Sequence, residues 1–319
     1  MLASTAPVME QNPHVSLSED AATAFAVRHA GVSLPEHEEE AFHCAFLPPG
    51  RFLNFLLALE ALNFSFWDEE PRWRVKWQGG SHDGYWALAA ALHRAVTRDA
   101  VPVWDAAWLA GVEQEELAQV LAGEGRPAPM LAERTGNLNE AGRVLLARYD
   151  GQMRNLIEQA RFDAVAVTQA LAEEFASFND AALWQGKTVR FFKRAQIFCA
   201  DLSRLYPRLP GGPLQGLNEL TAFADYKEPQ VLRKEGVLVY EPELARRLDA
   251  GEPLEAGSPE EVSIRAGTIW ACEWLARALE AQQGGERSLN AADVDYLLWS
   301  AGQDKTGLKP YHLTRTLYY

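Results

Sequence analysis

The clearest departure from helical spacing in this chain is a short stretch with a period of two. In Arg72-Trp73-Arg74-Val75-Lys76-Trp77, three apolar residues alternate with three cations, the pattern of a strand with one covered face. Gly79-Gly80 follows, so the stretch reads as half of a small hairpin. Its apolar side is an edge packed on a helical core rather than a binding surface. Elsewhere apolar residues recur at i, i+3 and i+4. Helices are predicted over about 16–31, 51–62, 115–122, 139–159, 163–176 and 190–205, and then over about 220–227, 229–235, 241–249, 259–283 and 291–301, with one more after Asp83. The expected fold class is mainly α, with one small β-hairpin.

Residues 1–15, with Pro7 and Pro13 and few apolar positions, read as a flexible tail. Ser16 and Glu19 have capping-box spacing for the first helix. Residues 16–319 are expected to form a single helical domain, or two helical lobes with the site between them. An acidic linker is expected over Pro35–Glu40, before a turn at Pro48-Pro49-Gly50.

The 319 residues are 48% hydrophobic, ample for a sizeable core, and carry a formal net charge of −14. A surface this acidic repels a polynucleotide backbone, which argues against direct nucleic-acid binding while leaving room for a small anion in a local basic pocket. Cys44, Cys199 and Cys272 lie in apolar surroundings without CxxC spacing. They read as reduced core thiols of a cytoplasmic protein, not as a zinc site or disulfide framework. No apolar run reaches the ~18 residues of a membrane span, and the N-terminus lacks a signal-peptide pattern. There is no GxGxxG, GxxxxGK[ST], HExxH or GxSxG motif, and the seven histidines show no pair at metal-ligand spacing. No metal or cofactor is expected, and the sequence is silent on oligomeric state.

Three places resist a purely structural account. Asp225 follows Leu220, Phe223 and Ala224, four residues before Pro229, which cannot continue a helix through its own amide. It reads either as an exposed acid at a helix end or as a carboxylate held beside an aromatic at a forced break. Lys193 shares a face with Ile197 and Ala200. Such lysines commonly snorkel to water, and a buried ligand-binding cation is the alternative. In Leu289-Asn290-Ala291-Ala292-Asp293-Val294-Asp295, Asn290 is a good N-cap and Asp293 falls at N3, which explains Asp293. Asp295 has no such explanation: it shares a face with Leu298 and Trp299 and should point toward the core, paired, protonated or employed. His43 stands alone in an apolar loop, where a hydrogen-bonded core histidine and a ligand contact are both open. Carboxylates, aromatics and a few cations suit cleavage through an oxocarbenium-like transition state, with Phe223 and Trp67 available for ring stacking. Composition alone does not prefer that chemistry to simple ligand binding.

Six motifs together resemble the queuosine salvage protein family. They are Asn63-Phe64-Ser65-Phe66-Trp67, Gly84-Tyr85-Trp86, Phe192-Lys193-Arg194-Ala195-Gln196, Phe223-Ala224-Asp225-Tyr226 with Pro229-Gln230-Val231-Leu232, Asp295-Tyr296-Leu297-Leu298-Trp299, and Arg315-Thr316-Leu317-Tyr318-Tyr319. The resemblance runs from about His43 to the last residue, with a loop at Pro48–Arg51 that is tighter than in animal members. It implies a metal-free N-glycosylase/hydrolase that cuts queuosine 5′-monophosphate and releases queuine for tRNA modification. It also implies a helical fold resembling helix-hairpin-helix DNA glycosylases. By position, Asp295 matches the family's nucleophile or charge-stabilising acid. His43, Phe223 and Asp225 match its queuine contacts, and Ala291 and Ala292 fall where backbone contacts to queuine are expected. Lys193 and Arg315 are candidates for the 5′-phosphate on charge grounds. The competing expectations are a non-catalytic queuine carrier and a DNA base-excision glycosylase, the latter disfavoured by the net charge.

Overall fold

The computed structural model describes residues 1–34, 42–68, 70–207, 209–282 and 289–319. Within them the protein is mainly α, and its strands form three two-stranded antiparallel pairs rather than the single expected hairpin. No helix among the described residues is long and apolar enough to cross a membrane.

The chain opens with α1 (Leu2–Gln11), β1 (Val15–Leu17) and α2 (Glu19–Arg28). Residues 1–15 are thus a helix and a strand, not the expected tail. Pro7 lies inside α1, and it forfeits one helical hydrogen bond. Burial offsets that loss: Thr5 and Val8 are fully buried, and the Trp270 indole donates to the Thr5 hydroxyl at 2.9 Å. Ser16 is drawn into β1, so the cap passes to Ser18, whose hydroxyl accepts from the Ala21 amide at 3.2 Å. The expected linker Pro35–Glu40 lies outside the described residues.

Next come α3 (Pro49–Ala61), β2 (Arg74–Trp77), β3 (Gly80–Asp83) and α4 (Gly84–Thr97). Pro49 starts α3 rather than preceding it, because the first helical position needs no amide hydrogen. β2 and β3 pair Arg74 with Asp83 and Trp77 with Gly80. Gln78 and Gly79 between them have φ of 47° and 81°, the positive values that a type I′ turn requires. Then follow α5 (Ala106–Gly111), α6 (Gln114–Val120), α7 (Leu131–Arg148), α8 (Met153–Gln159) and α9 (Ala164–Glu174). The single helix expected over 139–159 is interrupted where Asp150 and Gly151 take positive φ. An unexpected hairpin, β4 (Ala181–Trp184) with β5 (Lys187–Arg190), delays the start of α10 (Lys193–Leu205).

The expected helix over 220–227 is absent. Leu220–Tyr226 runs without regular structure into α11 (Glu228–Lys234), β6 (Leu238–Tyr240), α12 (Pro242–Asp249), α13 (Pro259–Gln282) and α14 (Ala291–Ala301). Pro229 therefore begins a helix instead of breaking one. Leu220 and Phe223 enter a hydrophobic cluster built on α3 to α10. Ala222 and Ala224 enter a second one built on α1, α2 and α11 to α14. A segment buried on both sides has polar backbone groups that must find partners, and here side chains supply them. Gln196 Oε1 accepts from the Thr221 amide at 2.8 Å, Asp295 Oδ1 accepts from the Phe223 amide at 2.8 Å, and Arg265 Nε donates to the Ala224 carbonyl at 3.0 Å.

Arg265 also binds Asp180 with both guanidinium amino groups, at 2.8 and 2.5 Å, and both side chains are 3% exposed. Asp180 in turn accepts from the Lys193 amide at the start of α10, at 3.1 Å. One buried pair thus ties α13, the hairpin β4–β5, α10 and the 220–226 segment together. Asp180→Ala leaves the buried guanidinium with only Glu261 as an acidic partner among the described residues, 3.7 Å from its Nη1, and should cost roughly 3 kcal/mol of unfolding free energy. Urea denaturation measures this, and a loss under about 1 kcal/mol would mean the pair is not the joint.

Candidate active site

A cavity of about 640 Å³ lies where α10, α14, the 63–67 loop, the 220–228 segment, the hairpin β2–β3 and residues 302–313 converge. α10 contributes Lys193, Ile197, Asp201 and Arg204, whose four-, four- and three-residue spacing lays one stripe along the helix. α14 contributes Asp295, Tyr296 and Trp299. Its N-terminus is held by the expected capping box, with Asn290 and Asp293 each accepting the other's backbone amide at 3.0 Å. The 220–228 segment contributes Phe223, Asp225, Tyr226, Lys227 and Glu228.

Asp225 and Asp295 share this cavity and are withdrawn from water, at 7% and 4% exposed. Asp295 spends one oxygen on the Phe223 amide, which leaves Oδ2 for a ligand. Asp225 accepts from the Lys227 amide through Oδ1, and its Oδ2 lies 3.8 Å from Lys193 Nζ. Glu228, which the sequence analysis passed over, is buried in the same wall with its Oε2 3.3 Å from the Asp225 amide.

So many buried acids close together cannot all ionise cheaply. Burial pushes the Asp295 carboxyl up to about 7; the Phe223 amide opposes the rise, Asp225 adds to it, and Lys193 and Arg204 hold it down. Burial, reinforced by Asp225 and Asp295, drives Glu228 well above its ordinary value. Burial lifts Asp201 to about 6 against the pull of Arg204 and Lys193. Behind the wall, Glu60 rises to about 8 through burial and the nearby Asp201, although Asn63 donates to it at 3.0 Å. Lys193 lowers Glu60, Asp201 and Asp295 alike. It neither snorkels nor idles: it acts on all three acids, with Arg204 on Asp201 and Asp295 and with Arg194 on Glu60.

Aromatic rings complete the walls. Trp299 meets Tyr85 at 6.0 Å and Trp86 at 5.8 Å, and Arg204 lies 4.6 Å from the Tyr296 ring. Trp67 lines the cavity as expected. His43 is fully buried behind the wall, its Nε2 against the Tyr85 hydroxyl, so it orients a wall residue and does not itself line the space. Ala291 and Ala292 are buried in the first turn of α14 and also stand behind the lining, with the Ala292 carbonyl 3.5 Å from Arg204. Arg315 is exposed and outside the cavity. Its neighbours Thr314 and Thr316 are the buried positions of that stretch. Arg194, beside Lys193, is structural: it donates to the carbonyls of Glu60 and Ala61 at 2.9 and 2.7 Å.

Comparison with known proteins agrees with the motifs. Residues 47–319 match the family described as Queuosine salvage protein. The "Queuosine 5'-phosphate N-glycosylase/hydrolase" of Sphaerobacter thermophilus is 45% identical, over 100% of this chain and 97% of its own length. Proteins of the same name from Mus musculus and Bos taurus are 35% and 34% identical, each over 84% of this chain and 82% and 81% of their own lengths.

The buried acid has a stability signature independent of any reaction. The folded protein binds the Asp295 proton more tightly than the unfolded chain, whose aspartate sits near 3.8. Ionisation therefore works against folding: the stability held by the protonated form is complete below pH 3.8 and lost as pH rises through about 7. Asp295→Asn can still accept the Phe223 amide and escapes this titration. Its stability relative to the wild type should improve on going from about pH 4 to pH 8 by a few kcal/mol at most. Paired denaturation curves at the two pH values check this, and an unchanged difference would contradict it.

Proposed function

The chain belongs to the queuosine salvage protein family, and we propose that it hydrolyses the N-glycosidic bond of queuosine 5′-monophosphate, using water to yield queuine and ribose 5-phosphate. The observation that carries this reading is the pair of buried aspartates, Asp225 and Asp295, facing one aromatic-walled cavity.

In the proposed complex Phe223 stacks on the base while Asp225 accepts hydrogen bonds from its guanine-like N–H edge. Asp225 is suited to that work because Lys193 and the Lys227 amide already orient its two oxygens. Asp295 faces C1′ with its uncommitted oxygen. As the bond to the base lengthens, positive charge grows on the ribose ring, and an ionised Asp295 stabilises it or attacks C1′. Being buried, that carboxylate acts with little solvent screening, so its effect on the developing charge is larger than in water. Burial and the nearby Asp225 raise the Glu228 carboxyl, so this acid resists adding a further negative charge to the wall. Tyr85, oriented by His43, closes the side made by α4 and α14 together with Trp86 and Trp299.

The test is release of free queuine, followed chromatographically. Asp295→Asn should fold and lose about a thousandfold or more in turnover. Near-normal turnover in that variant would transfer the charge-stabilising role to Asp225, and binding without release by the wild type would make the protein a carrier.

A pH profile separates the roles further. The reactive form needs Asp295 ionised, so kcat/KM should rise with pH to a midpoint near 7, the value at which this carboxyl ionises in the free protein. Lys193→Met removes a charge that holds Asp295 down, so it should move the midpoint to higher pH as well as lowering the rate at pH 7. A profile flat from pH 5 to 9, or a midpoint that Lys193→Met leaves in place, would exclude Asp295 as the group whose ionisation is read.

A further inference from the structure

The cavity is electrically lopsided. Its inner walls hold the buried acids, whereas cations gather toward its mouth. Lys305 Nζ and Arg74 Nη2 both approach the same oxygen of Asp83, at 3.8 and 3.7 Å, and their side chains are 68% and 50% exposed. Lys227 joins them from the 220–228 segment. Asp83 thus faces Arg74, Lys305 and Lys227, and the other acid acting on Lys227, Asp225, is shared with Lys193, so cations outnumber ionised acids at this end. A phosphate monoester carries close to two negative charges at neutral pH.

Lys227 is the informative member. It forms no ion pair among the described residues, yet it is largely withdrawn from water. Burial lowers its pKa; Asp225 opposes the fall, Lys305 adds to it, and Asp83 and Glu228 give smaller support to the charge. The acid that supports it most, Asp225, already lies 3.8 Å from the Lys193 ammonium, so Lys227 and its neighbour Lys305 share an anion-poor corner of the cavity. Lys193, by contrast, has its anion already in Asp225.

Accepting the reading above, we propose that Lys227 and Lys305 hold the 5′-phosphate at the cavity mouth, and that Lys193 does not. Lys227 grips it from the same segment that presents Asp225 to the base, so one stretch of chain measures the distance between base and phosphate. Lys305 meets it beside Lys227, from the chain just after α14, the helix that carries Asp295. The phosphate then pins the substrate at the end remote from the bond being cut, and that binding energy positions C1′ over Asp295.

The experiment compares kcat/KM for queuosine 5′-monophosphate with that for the nucleoside in the wild type, Lys227→Met, Lys305→Met and Lys193→Met. Loss of one charge-assisted contact should lower the monophosphate value in Lys227→Met by about 10- to 100-fold. The nucleoside value should fall much less, so the ratio of the two collapses. Lys305→Met should shift the ratio the same way by a smaller factor, because its ammonium is more exposed. Lys193→Met should lower both substrates together. Inorganic phosphate should compete with the monophosphate in the wild type and lose potency in Lys227→Met, while Lys227→Arg should restore most of it. If Lys227→Met and Lys305→Met leave the ratio as it is in the wild type, or if Lys193→Met alone changes it, the phosphate seat is elsewhere. If the wild type releases queuine from neither substrate, the hydrolase reading itself fails, a result distinct from an active enzyme with an unaltered ratio. Lys305 is exposed at its tip, so its variant tests the seat even where Lys227→Met is poorly folded.

Discussion

The paired charges of Arg265 and Asp180 decide where everything else in this molecule can sit. Two buried ions cost more to desolvate than their attraction returns unless the remaining hydrogen-bonding capacity is filled. Here several partners share it. Asp180 takes the Lys193 amide as well as the guanidinium, and Arg265 also donates to the Ala224 carbonyl, with Glu261 3.7 Å from its Nη1 and the Phe191 and Tyr319 rings at 3.9 and 4.3 Å. The consequence is positional. The first turn of α10, bearing Lys193, and the irregular segment bearing Phe223 and Asp225 are fixed relative to each other through one pair. Neither element is regular at that point, since Phe192 is left-handed with φ of 50° and Leu220–Tyr226 has no ladder of its own.

A second economy follows from that irregular segment. Its buried amides need acceptors, and the acceptor for Phe223 is Asp295. The same carboxylate therefore completes the fold and faces the cavity. That dual use explains why an acid that burial pushes up to about 7 is tolerated: an apolar residue there would orphan an amide between two hydrophobic clusters. It also sets stability against activity at one position, because an amide side chain satisfies the backbone but cannot hold the charge that the proposed chemistry needs.

Most helices were legible because their apolar positions keep helical spacing while one face stays wet; α6, α9, α12, α13 and α14 lie close to the expected bounds. What was not legible has physical reasons. The stretch 220–226 was read as helical from Leu220, Phe223 and Ala224, but a segment covered on both sides carries no phase information at all. The tail was dismissed because Pro7 weighs against a helix locally, while the contact that decides the matter, Trp270 to Thr5, is remote in sequence. The hairpin β4–β5 did leave a trace. Trp184-Gln185-Gly186 repeats the Trp77-Gln78-Gly79 of the first hairpin, and in both the Gln-Gly pair takes positive φ. In the site, Asp225, Asp295, Phe223, Trp67 and Lys193 are brought together as the motifs suggested. Asp201 and Arg204 were findable from their spacing to Lys193. Glu228 and Lys227 were not, since they flank Asp225 and only the irregular backbone turns all three into one wall.

The distribution of charge gives the net −14 a local meaning. Acids at the inner walls and cations at the mouth oppose each other across one cavity. A ligand that is neutral inside and anionic at its far end fits this field in the ground state. As its central ring becomes positive, that ring stands between Asp295 and its own remote anion, and the attraction to both grows together. In the proposed reaction the stabilisation strengthens only as the glycosidic bond lengthens, so it lowers the barrier and not merely the energy of the bound state. The inner acids are costly to keep charged in the empty protein for the same reason that the proposed chemistry can use them: they are buried, and the folded framework already holds them in place.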